Sequence, residues 1–363
     1  MIYSSIGYYA LIFGLIISFP IFFFSIKNFK NREILDSKII SFSFIQFLLV
    51  VVSFLGLIMS FVFSDFSNET VLNNSHTTKP LFYKISGTWG NHEGSLLLWL
   101  LVLSLFIFVF LIKSNDSPKK YRILTVLFQQ IIIIGFFIFL IDSSNPFNFV
   151  FPAPIEGLGL NPILQDPALA IHPPVLYLGY VGSSIIFSSV LAATCTNYIS
   201  KIWATHIKKW ILISWIFLTL GILLGSVWAY YELGWGGFWF WDPVENISLM
   251  PWLALTTLLH CVLVLEKRST LTSWVIILSI TTFILSMCGT FLVRSGILNS
   301  VHTFASDPER GLFILSFLFL LVFISLFVFF VFHKSDKYEI ISFSLFSKET
   351  SILINNWLMM YFL

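Results

Sequence analysis

Nine stretches of this sequence are apolar over a length that suits the interior of a lipid bilayer. They run approximately over 6–26, 39–63, 95–112, 123–141, 174–195, 211–230, 251–265, 274–292 and 312–332. A hydrocarbon core of ~30 Å takes about 20 helical residues at ~1.5 Å each. In lipid every backbone N–H and C=O must find its partner within the protein, which leaves helices or closed barrels. Runs of this length predict helices. A tenth run begins near Leu353. The expected architecture is therefore all-α: a polytopic integral membrane protein with about nine to ten transmembrane helices in a single transmembrane domain over 1–363. The 57% hydrophobic and 10% charged composition, with a mean hydropathy of +0.91, excludes an ordinary soluble domain.

Loop charge sets the orientation, because Lys and Arg are retained on the side where the chain is made. Numbering the connections alternately inner and outer puts all but four of the 20 Lys and Arg on the inner side; the exceptions are Lys79, Lys84, Arg294 and Arg310. The first 26 residues lack Lys and Arg and no small-residue cleavage site follows, so an uncleaved first span is expected rather than a signal peptide. Cys195, Cys261 and Cys288 show no CxxC spacing and read as packing residues, which excludes a thiol carrier or a c-type haem acceptor. Nothing supports nucleic-acid binding.

The outer connections 64–94, 142–173, 231–250 and 293–310 are long, poor in cations and rich in Gly, Pro, Trp and His. Function should lie there. Asp166-Pro167, Asp242-Pro243 and Asp307-Pro308 each pair a helix N-cap with a proline whose φ suits the first helical position. Glu245, three residues after Asp242, completes a capping box, so these carboxylates are read as helix starts. The rings of "WGGFWFW" demand more. One or two interfacial tryptophans anchor a span as a matter of course, but Trp235, Phe238, Trp239 and Trp241 lie together, with Gly236 and Gly237 permitting close approach. If this loop is helical, Trp235 and Trp239 share a face. Such a surface suits a large flat apolar ligand, for which a porphyrin is the obvious candidate.

A porphyrin iron requires axial ligands, and neutral imidazole is the common choice. His76, His92, His172 and His302 all fall on the outer side with the aromatic loop, whereas His206 and His333 fall among inner lysines. His260 lies about ten residues down its span, or ~14 Å, where an ionisable group is a functional hypothesis by default. The alternative is a neutral histidine bonded to a neighbouring helix.

The blocks "WGNHEGSLLLW" (89–99), "LQDPALAIHPPVLYLGYVG" (164–182), "WAYYELGWGGFWFWDPVENISLMPWL" (228–253), "RSGILNSVHTFASDPERGLFIL" (294–315) and "SKETSILINNW" (347–357) resemble those of the CcmF family of cytochrome c maturation proteins. These proteins belong to the tryptophan-rich haem-handling superfamily. The resemblance covers nearly the whole chain in order. It implies a haem lyase subunit that takes haem from the chaperone CcmE and ligates it to the CxxCH cysteines of apocytochrome c, with a CcmH-type partner presenting the apoprotein. It also implies that His172 and His302 are the axial ligands of this transient substrate haem, that the Trp-rich loop is its platform, and that His260 is a ligand of a possible resident haem b.

Phe238 stands where the family commonly has Trp, which keeps an aromatic face. The family's proteins are longer and carry the second haem b ligand beyond residue 363, which implies a split protein whose remaining C-terminal part is a partner, or the absence of haem b. Arg294, at the outer end of a span near His302, is a candidate haem-propionate partner, with an arginine snorkelling to the surface as the rival reading. The 42 Phe among 363 residues suggest an AT-rich genome and, with the length, a mitochondrial inner membrane with the site facing the intermembrane space; the alternative is a bacterial inner membrane with a periplasmic site. A transporter would be expected to carry acidic or basic residues inside its spans, and a delivery subunit without ligase activity would show fewer spans around the same loop.

Overall fold

The computed structural model describes residues 1–31, 37–234, 237–297, 308–333 and 347–361. Among them the helices are α1 (Ile2–Asn31), α2 (Ser37–Val62), α3 (Glu69–Asn74), α4 (Leu81–Gly87), α5 (His92–Lys113), α6 (Lys119–Asp142), α7 (Pro167–Tyr180), α8 (Ser183–Cys195), α9 (Lys201–Glu232), α10 (Pro243–Arg268), α11 (Thr272–Arg294), α12 (Pro308–Phe332) and α13 (Lys348–Tyr361). Among the described residues nine spans are long and apolar enough to cross a membrane, with α7 and α8 together making one of them. All nine predicted runs are realised.

The helices reach further outward than the apolar runs, because capping rather than hydropathy decides where they start. Asn91 accepts the N–H of Gly94 to open α5, and Asp166 accepts that of Leu169 to open α7. At α10 the capping box forms: Asp242 accepts from Val244, and Glu245 accepts from the backbone of Phe240 and Asp242. The connections expected over 142–173 and 231–250 are therefore shorter, each yielding about two turns to the following helix. His172 consequently stands on α7 and not in a loop. The fifth span is also broken at Val181–Gly182, where a side chain on Gly182 would meet Phe106 and Ser214 at 2.8 Å. The tenth helix begins at Lys348, earlier than the apolar run suggested, and packs antiparallel to α10 through Asn356 to Cys261 and Thr257 to Met359.

Spans pack where small residues let backbones approach and where buried polar side chains find each other. A Cβ on Gly56 of α2 would lie 2.9 Å from Gly7 Cα of α1. Gln46 of α2 donates to Ser18 of α1 at 2.7 Å and exchanges amide bonds with Gln130 of α6 at 2.9 and 3.2 Å. The neighbouring Gln129 donates to Ser184 and accepts from Ser188, both on α8. Two adjacent glutamines thus tie α6 to opposite neighbours. Replacing Gln130 with Leu removes the exchanged pair and should lower stability by about 1 kcal/mol, measured as an earlier midpoint in denaturing-detergent unfolding.

Candidate functional site

The outer ends of α5, α7, α9, α10, α11 and α12 surround a cavity of about 680 Å³. Its walls are aromatic, from Trp89, Trp99, Tyr177, Tyr180 and Trp228, and its polar groups include His92, His172, Arg294 and Arg310. A volume of this size with apolar walls and few polar groups suits a cofactor-sized ligand.

His172 is the most constrained of these groups. Its Nδ1 lies 2.7 Å from the carbonyl oxygen of Gly221 on α9. A carbonyl can only accept, so Nδ1 carries the proton and a neutral ring has its lone pair on Nε2, the atom able to ligate a metal. The surrounding helix is unusual, because Pro173 and Pro174 are consecutive residues inside α7. Proline has no N–H, so the carbonyls of Leu169 and Ala170 lose their helical donors. The indole Nε1 of Trp89 donates to the Ala170 carbonyl at 2.9 Å, while its ring stacks on Phe54. Trp89 thereby restores a bond that the proline pair removes.

Arg294 ends α11 and is 3% exposed, which overturns the reading of a snorkelling arginine. It donates to the His92 carbonyl at 3.2 Å, to Ser95 Oγ at 2.8 Å and to Tyr177 Oη at 3.3 Å, and it lies 3.3 Å from His92 Nδ1. Arg310, at the start of α12, pairs with Glu93 at 3.0 Å and donates to the Ser143 carbonyl. A cation held this way is fixed in direction, and a guanidinium suits a carboxylate partner.

The Trp-rich loop differs from expectation. Residues 237–242 are not helical, so Trp239 does not stand on a helix face. Trp241 has a φ of +58°, and Asn246 donates to its carbonyl at 3.0 Å, which turns the chain into the capping box. Phe238 is 57% and Trp241 71% exposed; Phe238 stacks on Tyr230 at 4.5 Å, and Trp239 meets Trp241 edge-on at 6.2 Å. None of Phe238, Trp239 and Trp241 lines the cavity. Trp235 and His302 lie outside the described residues. His260 is half-buried on α10, its Nδ1 3.5 Å from Asn355 Nδ2 of α13. It is therefore remote in the sequence register from the cavity-lining residues of that helix, Val244, Ile247 and Ser248.

The structure thus brings His172 and Arg294 into one cavity and adds His92, Trp89, Trp99, Trp228 and Arg310 to them. His92 was one of four open candidates. Nothing in the sequence marks Trp99 or Trp228 individually, and what would have singled out Trp89 is the need of the proline pair for a donor. Elsewhere, His76 lies 2.9 Å from Thr78 Oγ1 at an exposed site, and His333 stacks on Phe329.

Fold and cavity together define a polytopic all-helical membrane protein with a ligand-sized chamber at the outer ends of its spans. The chain belongs to the cytochrome c assembly protein family, whose model matches residues 89–298. It is 53% identical over 314 residues to the cytochrome c-type biogenesis protein CycK of Bradyrhizobium diazoefficiens, covering 86% of this chain and 47% of that one. To CcmF of Escherichia coli it is 46% identical over 319 residues, covering 88% and 49%. A solved structure of the cytochrome c haem lyase CcmF superposes with a TM-score of 0.81 at 26% identity, over 98% of this chain and 54% of that one. The chain spans about half the length of the curated relatives it matches. Those relatives each carry the full length in one polypeptide and come from bacteria, so they support neither the expected division between subunits nor the mitochondrial placement. A multi-pass membrane protein of cytochrome c biogenesis is what they do support.

Trp89→Phe keeps the stacking but strips the Ala170 carbonyl of its donor, and should cost about 1–3 kcal/mol, read as a lower thermal midpoint. Lys79, buried outside the spans with Nζ 3.1 Å from the carbonyl of cavity-lining Asn74, has its pKa pushed down to about 8, first by burial and then by Lys84. Between that value and the ordinary 10.5, unfolding takes up a proton, so stability rises with pH across this window. Thermal midpoints recorded from about pH 7 to about pH 10 should show that rise, and Lys79→Met should flatten it.

Proposed function

We propose that this chain is the haem-handling part of a cytochrome c haem lyase. Haem is its substrate, received from a chaperone of the CcmE type and joined to the CxxCH cysteines of apocytochrome c, which a CcmH-type partner presents. The observation that carries the reading is the bond from His172 Nδ1–H to the Gly221 carbonyl beside an aromatic-walled cavity. It prepares Nε2 as a ligand for iron at the outer face. His302 is the second axial ligand, and Trp235, Phe238, Trp239 and Trp241 form the platform. Arg294, buried and held in direction, takes a propionate.

The residues present fit such a substrate: a lone-pair nitrogen for the metal, rings for the macrocycle and guanidinium groups for carboxylates. The chemistry joins each cysteine sulfur to one vinyl carbon, and the thiol proton ends on the other carbon. No net oxidation or reduction accompanies the addition. What the protein must contribute is geometry, holding ring and peptide thiol at attack distance on the correct face. A site of ligands, rings and cations with no nucleophile of its own suits that task.

His260 is the residue that would hold the iron of a resident b-type haem, and its half-buried position beside α13 separates it from the substrate site. The cation-poor face is the outer one, and the organisms of the relatives support a bacterial inner membrane with a periplasmic site over a mitochondrial one.

The test is a pair of measurements on the protein purified with its co-isolating membrane partners. His260→Ala should abolish a resident b-type spectrum. His172→Ala or His302→Ala should spare that spectrum yet stop cytochrome c assembly. Arg294→Ala should weaken retention of substrate haem severalfold. If His172→Ala matures cytochrome c at the normal rate, the assignment of the substrate site is wrong.

A further inference from the structure

The segment 221–225, "GILLG", places two glycines four residues apart on α9, so both lie on one face of the helix. That face meets α7 in antiparallel register. A Cβ on Gly221 would lie 2.6 Å from Leu176 Cα, and a Cβ on Gly225 would lie 2.7 Å from His172 Cε1 and 3.0 Å from its Nδ1. One turn further along, Gly179 of α7 would collide through its Cβ with the Leu218 backbone. At Gly221 and Gly179 the helices touch backbone to backbone, as small-residue motifs allow in membranes, and Gly225 continues this seam. The imidazole of His172 occupies the outermost place in that seam, against Gly225 and bonded to the carbonyl of Gly221.

We infer that Gly225, together with the Gly221 carbonyl, is a positioning element that sets the depth and the tautomer of the His172 imidazole. This rests on the reading of His172 as an iron ligand. A methyl group at 225 cannot coexist with the ring in its present place. The ring must move off, and the Nδ1–H bond to Gly221 lengthens or breaks. Without that acceptor the proton is no longer confined to Nδ1, so part of the population carries it on the ligating nitrogen. The remaining ligand is a weaker donor, because a carbonyl acceptor on Nδ1–H raises the basicity of Nε2. A weaker donor favours ferrous over ferric iron, so the potential rises.

The experiment uses the full chain in detergent with its co-isolating partners, and hemin as the added probe. In ligand-free protein labelled with nitrogen-15 at histidine, with a His172→Gln sample identifying the signal, wild type should show a single Nδ1–H tautomer for His172 and Gly225→Ala a mixture. Hemin titration of Gly225→Ala should show roughly 10–100-fold weaker binding, the range for losing such a supporting bond to a ligand, and a raised reduction potential. In a His172→Gly background without added imidazole, Gly225→Ala should leave hemin affinity unchanged, because the ring that the methyl would meet is gone.

The inference is overturned if Gly225→Ala keeps the pure tautomer and the potential, or if it weakens hemin binding equally with His172 absent. A wild-type affinity unchanged by His172→Gly would instead remove the reading of the ligand itself, while the tautomer measurement would still decide whether Gly225 positions the ring.

Discussion

Inside a bilayer, a backbone carbonyl without a donor has no water to turn to. Two consecutive prolines in α7 create that situation one turn from His172. The bond from Trp89 to Ala170 answers it, and in doing so ties the start of the α5 block to the helix that carries the imidazole. Much of the chamber's outer architecture follows from this tie. Trp89 becomes a wall, α5 is drawn beside α7, and the N-terminal turn of α5 brings His92 and Glu93 to the two arginines. The proline pair thus makes α7 irregular where a ligand site needs irregularity, and the indole keeps that irregularity bonded.

The second organising contact is the glycine seam between α7 and α9. It joins the site to the Trp-rich loop through one rigid element, because α9 carries Gly221 and Gly225 at the imidazole, Trp228 in the cavity wall and Tyr230 under Phe238. Seven residues separate Gly221 from Trp228, or ~10 Å of helix. The histidine and the aromatic loop are therefore spaced along a single helix and not by flexible connections.

The spans were legible because long apolar runs leave few alternatives, and the helix starts at Asp166 and Asp242 were legible because a cap followed by proline has a local cause. Cavity-lining residues were legible only where chemistry marks the side chain, as with His172 and Arg294. The aromatic loop drew attention through its density of rings, yet the rings that line the cavity come from Trp89, Trp99 and Trp228, each of which looks like an ordinary interfacial tryptophan when read alone. Gly221 and Gly225 resemble any small residues within a span, and their meaning depends on contacts with a helix 49 residues earlier at His172. Arg294 shows the same limit: position near a span end suits exposure and burial equally, and its fate depends on His92, Ser95 and Tyr177 arriving from other helices.

At 32 residues, α9 is about 48 Å long, well beyond a hydrocarbon thickness of ~30 Å. The imidazole docks against it seven to eleven residues below its outer end, some 10–16 Å down. The apolar run of this span extends to Tyr230, so the contact lies within the apolar stretch. The length of α9 above the seam therefore sets how far the imidazole stands from the helix end, so whatever reaches the ring enters through the cavity between the helices and not from the rim.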